Sequence, residues 1–132
     1  MKMRTGLVAL SFLCLFVGGA VAGDNWKRGT SERVLVKQGA VRLTPSQVRS
    51  LVTGNTEKWR YGGGSDACFY APDGKLSCRK NGKVAVENWS IEPDGSVCYR
   101  NCHYYLRLKG ELIAVRNGSV IGAVRFLGGN RL

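Results

Sequence analysis

The sequence has a single histidine, His103, and only nine acidic residues in 132 positions. One histidine excludes catalysts that need two, and no G-x-S-x-G string marks a serine nucleophile. Gly62-Gly63-Gly64 lacks the Lys-Ser/Thr that follows a phosphate loop, so it reads as a hairpin linker. Beyond the first 23 residues no apolar run approaches the roughly 20 residues of a membrane-spanning helix. Proline is scarce as well, and all three sit where a chain starts or turns: Pro45, Pro72 and Pro93.

Basic residues and glycine are abundant. There are 20 Lys and Arg, a formal net charge of +11, and 18 Gly. With 44% hydrophobic residues the chain suits one compact domain rather than a disordered basic tail. Such a balance favours a small folded binder or inhibitor.

The N-terminus carries Lys2 and Arg4, then an apolar stretch over 6–22 ending in Ala20-Val21-Ala22-Gly23. This is the layout of a secretory signal peptide, with cleavage expected after Ala22 or Gly23. Cleavage after Gly23 leaves 18 basic against nine acidic residues, a net +9, and removes Cys14. The remaining Cys68, Cys78, Cys98 and Cys102 read as two disulfides of an exported domain, with three possible connectivities. Cys98-x-x-x-Cys102-His103 resembles half a zinc site, but Cys68 and Cys78 are too far apart to supply the second short pair. No metal or cofactor is expected.

The organisation that follows is a signal peptide over 1–23, a mobile arm and lead-in over 24–42, and one disulfide-bonded β domain over 43–132. Residues 33–38 read as a short strand or an extended lead-in. Residues 43–54 predict the one convincing helix: Thr44 caps it, Pro45 takes the first helical position, Gln47 completes a capping box and Gly54 stops it. After Gly54 the pattern alternates with period two. Strands are expected over 56–61, 67–71, 75–80, 83–92, 96–99, 103–109, 112–116 and 119–127. The fold class is therefore mainly β, an antiparallel meander of about eight strands forming a small barrel or half-barrel, with one short N-terminal helix.

The hairpin turns set register. Pro72-Asp73-Gly74 makes a three-residue loop, which places Cys68 opposite Cys78 with close side chains. Cys98–Cys102 follows by elimination. Extending the register gives one face with Cys68, Tyr70, Leu76, Cys78, Ala85, Glu87, Trp89, Ile91, Val97 and Tyr99. Glu87 is the single charged member, a candidate interior carboxylate, unless a bulge turns it out and Val84 and Val86 in. Beyond Cys102 the scheme conflicts with Tyr104, Leu106 and Leu108 as a buried set, so a bulge near Arg100-Asn101 is expected. His103 reads as a surface or disulfide-packing residue.

Leu51-Val-Thr-Gly-Asn-Thr56, Phe69-Tyr-Ala-Pro-Asp-Gly74, Trp89-Ser-Ile91, Asp94-Gly95, Cys98 and Cys102-His-Tyr104 follow one another in an order that resembles small exported proteobacterial domains of uncharacterised function. The resemblance covers roughly residues 43–130. It implies an exported, disulfide-bonded β domain and carries no activity with it.

Three functional readings follow. The first is an exported non-enzymatic binding module for an anionic envelope component or an acidic protein, with Arg79, Lys80, Lys83, Arg107 and Lys109 as contacts. Lys80 and Lys83 should face each other across the Asn81-Gly82 turn, where like charges repel and an anion would relieve them. The second is an inhibitor that blocks a hydrolase cleft with a disulfide-braced loop. The third is a small hydrolase pairing Glu87 with Glu111 or Asp66. Nucleic acid is not an expected partner, because no recognition motif accompanies the charge.

Overall fold

A computed structural model describes residues 26–132. The expected signal peptide, with Cys14, lies outside the described residues.

The described residues form two helices and ten strands: α1 (Glu32–Lys37), β1 (Val41–Arg42), α2 (Pro45–Val52), β2 (Asn55–Gly62), β3 (Ala67–Tyr70), β4 (Lys75–Lys80), β5 (Lys83–Asn88), β6 (Ser90–Ile91), β7 (Val97–Tyr99), β8 (Asn101–Leu108), β9 (Glu111–Arg116) and β10 (Ser119–Gly128). The sheet is antiparallel throughout, in the order β5-β4-β3-β2-β10-β9-β8-β7-β6, with β1 added beside β8. It curls into a nearly closed barrel.

The two edge strands, β5 and β6, are consecutive in the chain. The expected strand over 83–92 is thus two strands, separated at Trp89. Trp89 is held there because its backbone N–H donates to Gly74 and its indole Nε1 donates to the Ala71 carbonyl at 2.9 Å. This split and the addition of β1 raise the expected eight strands to ten.

Local signals placed α2 well. Thr44 and Gln47 form the reciprocal capping box, Pro45 starts the helix, and Val48 and Val52 are fully buried. Residues 33–38 differ from expectation. Residues up to Lys37 belong to α1, with Gln38 as its C-cap; the Ser31 hydroxyl caps its start, and Leu35 is fully buried. A six-residue helix does not persist on its own, so tertiary packing holds it. Leu35 meets Leu106, Leu108, Ile113, Val115 and Val120, the outward side chains of β8, β9 and β10.

That contact explains the conflict in β8. The barrel interior holds Val48, Val52, Cys68, Tyr70, Leu76, Val97, Tyr105, Ala114 and Val124, while a second core lies outside the wall beneath α1. Both faces of β8 are therefore buried. Tyr104, Leu106 and Leu108 turn outward into the second core, and His103 and Tyr105 turn inward. No bulge intervenes: Tyr99 pairs with Asn101, Cys98 with Cys102 and Val97 with His103, with Arg100 at the turn in a left-handed conformation (φ 54°).

Both disulfides form as the register requires, Cys68–Cys78 and Cys98–Cys102. Two such bonds belong to an oxidising, extracellular type of environment. Among the described residues no helix is long and apolar enough to cross a membrane.

Candidate anion-binding pocket above a buried acid

Glu57 is the acid at the centre of the barrel. It lies on β2, opposite Cys68 of β3 and Phe126 of β10, and is completely buried. One carboxyl oxygen, Oε1, accepts a hydrogen bond from the Tyr70 hydroxyl at 3.1 Å. The other, Oε2, accepts a short one from the Tyr105 hydroxyl. Burial pushes the carboxyl up to about 7, against the opposing effect of the two tyrosine hydrogen bonds.

His103 completes the cluster. Its Nε2 lies 2.9 Å from the Tyr105 hydroxyl and 4.0 Å from Glu57 Oε2. Because Tyr105 gives its own proton to Glu57, its oxygen accepts from His103, which fixes the proton of neutral imidazole on Nε2. Burial, helped by the positive charge of Arg116, lowers His103 to about 4. The histidine expected at the surface or packed on the disulfide is thus a buried, uncharged residue of the interior. The register of β7 with β8 carries it inward, because Val97 opposite it faces the core.

Aromatic rings close the cluster. Tyr70 packs edge-on against Trp89 at 5.2 Å and Tyr99 at 6.3 Å, and Tyr99 packs edge-on against His103 at 5.8 Å. Tyr99 also lines a pocket at the end of the barrel.

The pocket measures about 730 Å³ and opens at the end of the barrel where β4 turns into β5 and β7 into β8. Five cations line it, Arg28, Lys80, Lys83, Arg100 and Arg116, against one carboxylate, Glu87. Its apolar wall includes Trp59, Tyr99 and Ile121. Trp59 is fixed by backbone on two sides: a Cβ at Gly63 would lie 2.3 Å from its ring, and one at Gly122 would lie 2.9 Å from it. Only glycine at these positions lets the indole sit where it does.

The sequence-derived candidates divide between two ends of the molecule. Lys80 and Lys83 pair directly across the β4–β5 turn and both line the mouth. Arg79 is one residue along β4, opposite Val84, on the other face of the strand. Arg107 lies toward the far end of β8, in a shallow pocket with Leu43, Ser46, Gln47, Ser50 and Leu51 of the α2 region. Lys109 is exposed in the β8–β9 turn.

Glu87 does lie on the interior side of β5: Val84 and Val86, at 55% and 63% exposure, point away. It is not a core acid, however. It sits at the mouth with its side chain 26% exposed and forms an ion pair with Arg100 at 3.0 Å. Neither Glu111 nor Asp66 joins it there. Glu111 pairs with Arg60 at 2.7 Å, and Asp66 accepts from the Asn81 backbone.

Sequence reasoning missed Glu57, Arg116 and the inward His103. A signal existed for the first two. Glu57 shares the strand phase of Trp59, and Arg116 shares that of Leu112 and Ala114, all of which face the interior side. Among the described residues no three His, Cys, Asp or Glu side chains come together as a metal site. No family model matches this chain, and neither curated proteins nor solved structures give a match.

Proposed function

We propose that this domain is an exported binding module for an anionic envelope component, engaged through the mouth of the barrel. The observation that carries this reading is the lining of the mouth: five cations, with the one carboxylate already paired to Arg100. Lys80 and Lys83 are directly opposed, a juxtaposition that costs stability in the free protein and is relieved by a bound anion. A concave site fits a ligand that enters it better than it fits a loop that plugs another protein's cleft. Export rests on the basic, apolar and small-residue order of residues 1–23 and on the disulfides.

Retention on immobilised heparin tests the reading. Lys80→Glu with Lys83→Glu should abolish most retention, whereas Arg107→Glu with Lys109→Glu, of equal charge change at the other end, should alter it little. Binding should also fall steeply with salt, since exposed charges are screened over about 8 Å at physiological ionic strength. Equal losses from the two double variants would show that net charge alone, rather than this pocket, governs binding.

A further inference from the structure

Arg116 ends β9 on the interior side of the wall and lines the pocket. Val115 pairs with Tyr104, so the next residues on the two strands are Arg116 and His103, sharing the interior face. The Nε of Arg116 and the Nδ1 of His103 are both buried, and neither has a hydrogen-bond partner among the described residues. One is a donor and the other, in the tautomer set by Tyr105, an acceptor. Leaving such groups unpaired costs stability. A guanidinium in a cationic pocket, with no carboxylate paired to it among the described residues, is built for planar, two-pronged recognition of an oxyanion.

The surrounding wall adds a second requirement. Trp59, Tyr99 and Ile121 line the same pocket, and Trp59 is held rigid by Gly63 and Gly122. At about 730 Å³ the space falls within the range of small-molecule sites, roughly 300–1,000 Å³. A polyanion bound only by rim lysines has no use for an apolar wall.

We infer that Arg116 anchors the oxyanion of a small amphipathic ligand, a carboxylate or phosphate monoester carrying an apolar ring, whose body lies against Trp59, Tyr99 and Ile121. This rests on the reading of the mouth as an anion site and narrows it to a ligand class and an anchoring residue. Lys80 and Lys83 then attract the ligand from the rim, and Arg116 holds it.

Titration with 1-naphthoate, 1-naphthyl phosphate and uncharged 1-naphthalenemethanol tests the inference, read by the ¹⁵N resonance of Arg116 Nε–H and by calorimetry. At least one of the two anions should move that resonance to saturation, and the alcohol should bind at least about tenfold more weakly, or about 1.4 kcal/mol. Response to the carboxylate alone, or to the phosphate alone, assigns the oxyanion. Arg116→Gln should weaken the anion about tenfold or more, and Arg116→Lys, which keeps the charge but loses the fork, should recover only part of this. If Arg116→Gln does not fold, the resonance in the unaltered protein and the Arg116→Lys affinity decide. An unmoved resonance with both anions, an alcohol that binds as tightly, or variants indistinguishable from the parent would overturn the inference. Heparin retention through Lys80 and Lys83 without naphthyl-anion binding would refute this inference alone; loss of both would refute the broader reading too.

Discussion

Tyr105 and Glu57 are hydrogen-bonded across the lumen of the barrel, from strands β8 and β2 that are separated in the sheet by β9 and β10. The bond therefore ties opposite parts of the wall together, and His103 and Tyr70 extend it to β8 again and to β3. Burial favours the protonated form of this carboxyl and outweighs the two tyrosine hydrogen bonds, which favour the ionised form.

The pH dependence of stability follows from this cluster. Unfolded, a glutamate loses its proton near 4.5, whereas folded Glu57 holds it to about 7. The folded state binds more protons between these values, so this contribution, on the order of 3 kcal/mol, is present at low pH and lost as pH rises through about 7. His103 works in the opposite sense. It is protonated below about 6.5 when unfolded but only near 4 when folded, so its contribution is lost as pH falls through that window. The two slopes oppose each other between about 4.5 and 6.5. Glu57→Gln should remove one slope and leave the other. Urea denaturation at pH 5 and pH 8 should show the variant gaining stability relative to the parent at the higher pH by about 3 kcal/mol. Parallel profiles for the two proteins would contradict a titrating Glu57.

Leu35→Ala should destabilise the domain by roughly 2–5 kcal/mol, the usual cost of emptying a fully buried leucine site. Val34→Ala and Val36→Ala, on the same helix but exposed at 41% and 52%, should change stability by less than about 1 kcal/mol. Equal effects would mean that α1 does not seal the outer core. Equilibrium urea melts of the three variants provide the comparison.

Gly63→Ala should push Trp59 out of its seat. The added methyl would lie 2.3 Å from the indole, at a backbone position with φ of 70° that disfavours side chains in any case. The expected cost is roughly 1–3 kcal/mol. Gly64→Ala, one residue on, meets nothing within 4 Å and should be nearly neutral. Thermal melts measure both, and near-ultraviolet circular dichroism should change only for the former.

The hairpins were legible because their determinants are local. Pro72-Asp73-Gly74 and Asn81-Gly82 set the pairing of β3, β4 and β5, and with it the Cys68–Cys78 bond and the facing Lys80 and Lys83. The capping box of α2 was legible for the same reason: Thr44 and Gln47 are three residues apart, and no distant group is needed. Alternation likewise placed Glu87 on the interior side of its strand.

What alternation cannot express is how far along the barrel a position lies, or whether the outer surface of the wall is covered. Glu87 and Glu57 have the same inward phase, yet Glu87 comes at the open end, where Arg100 and solvent reach it, and Glu57 comes in the middle, where Tyr70, Tyr105 and His103 surround it. His103 read as a surface or disulfide-packing residue, with Tyr104, Leu106 and Leu108 as the buried set of β8, and only the packing of Leu35 from α1 makes the outer face of the wall a second core. The sequence by itself determined the strand pairing of the β3–β4 and β4–β5 hairpins, the disulfides and the excess of positive charge, since each depends on residues close together in the chain or on composition. Closure of the sheet decided the rest. It put Glu57, Tyr70, Tyr105 and His103 in one dry interior and Arg116, Lys80 and Lys83 around one opening, because those distances are fixed by the curvature of the whole wall rather than by any segment of it.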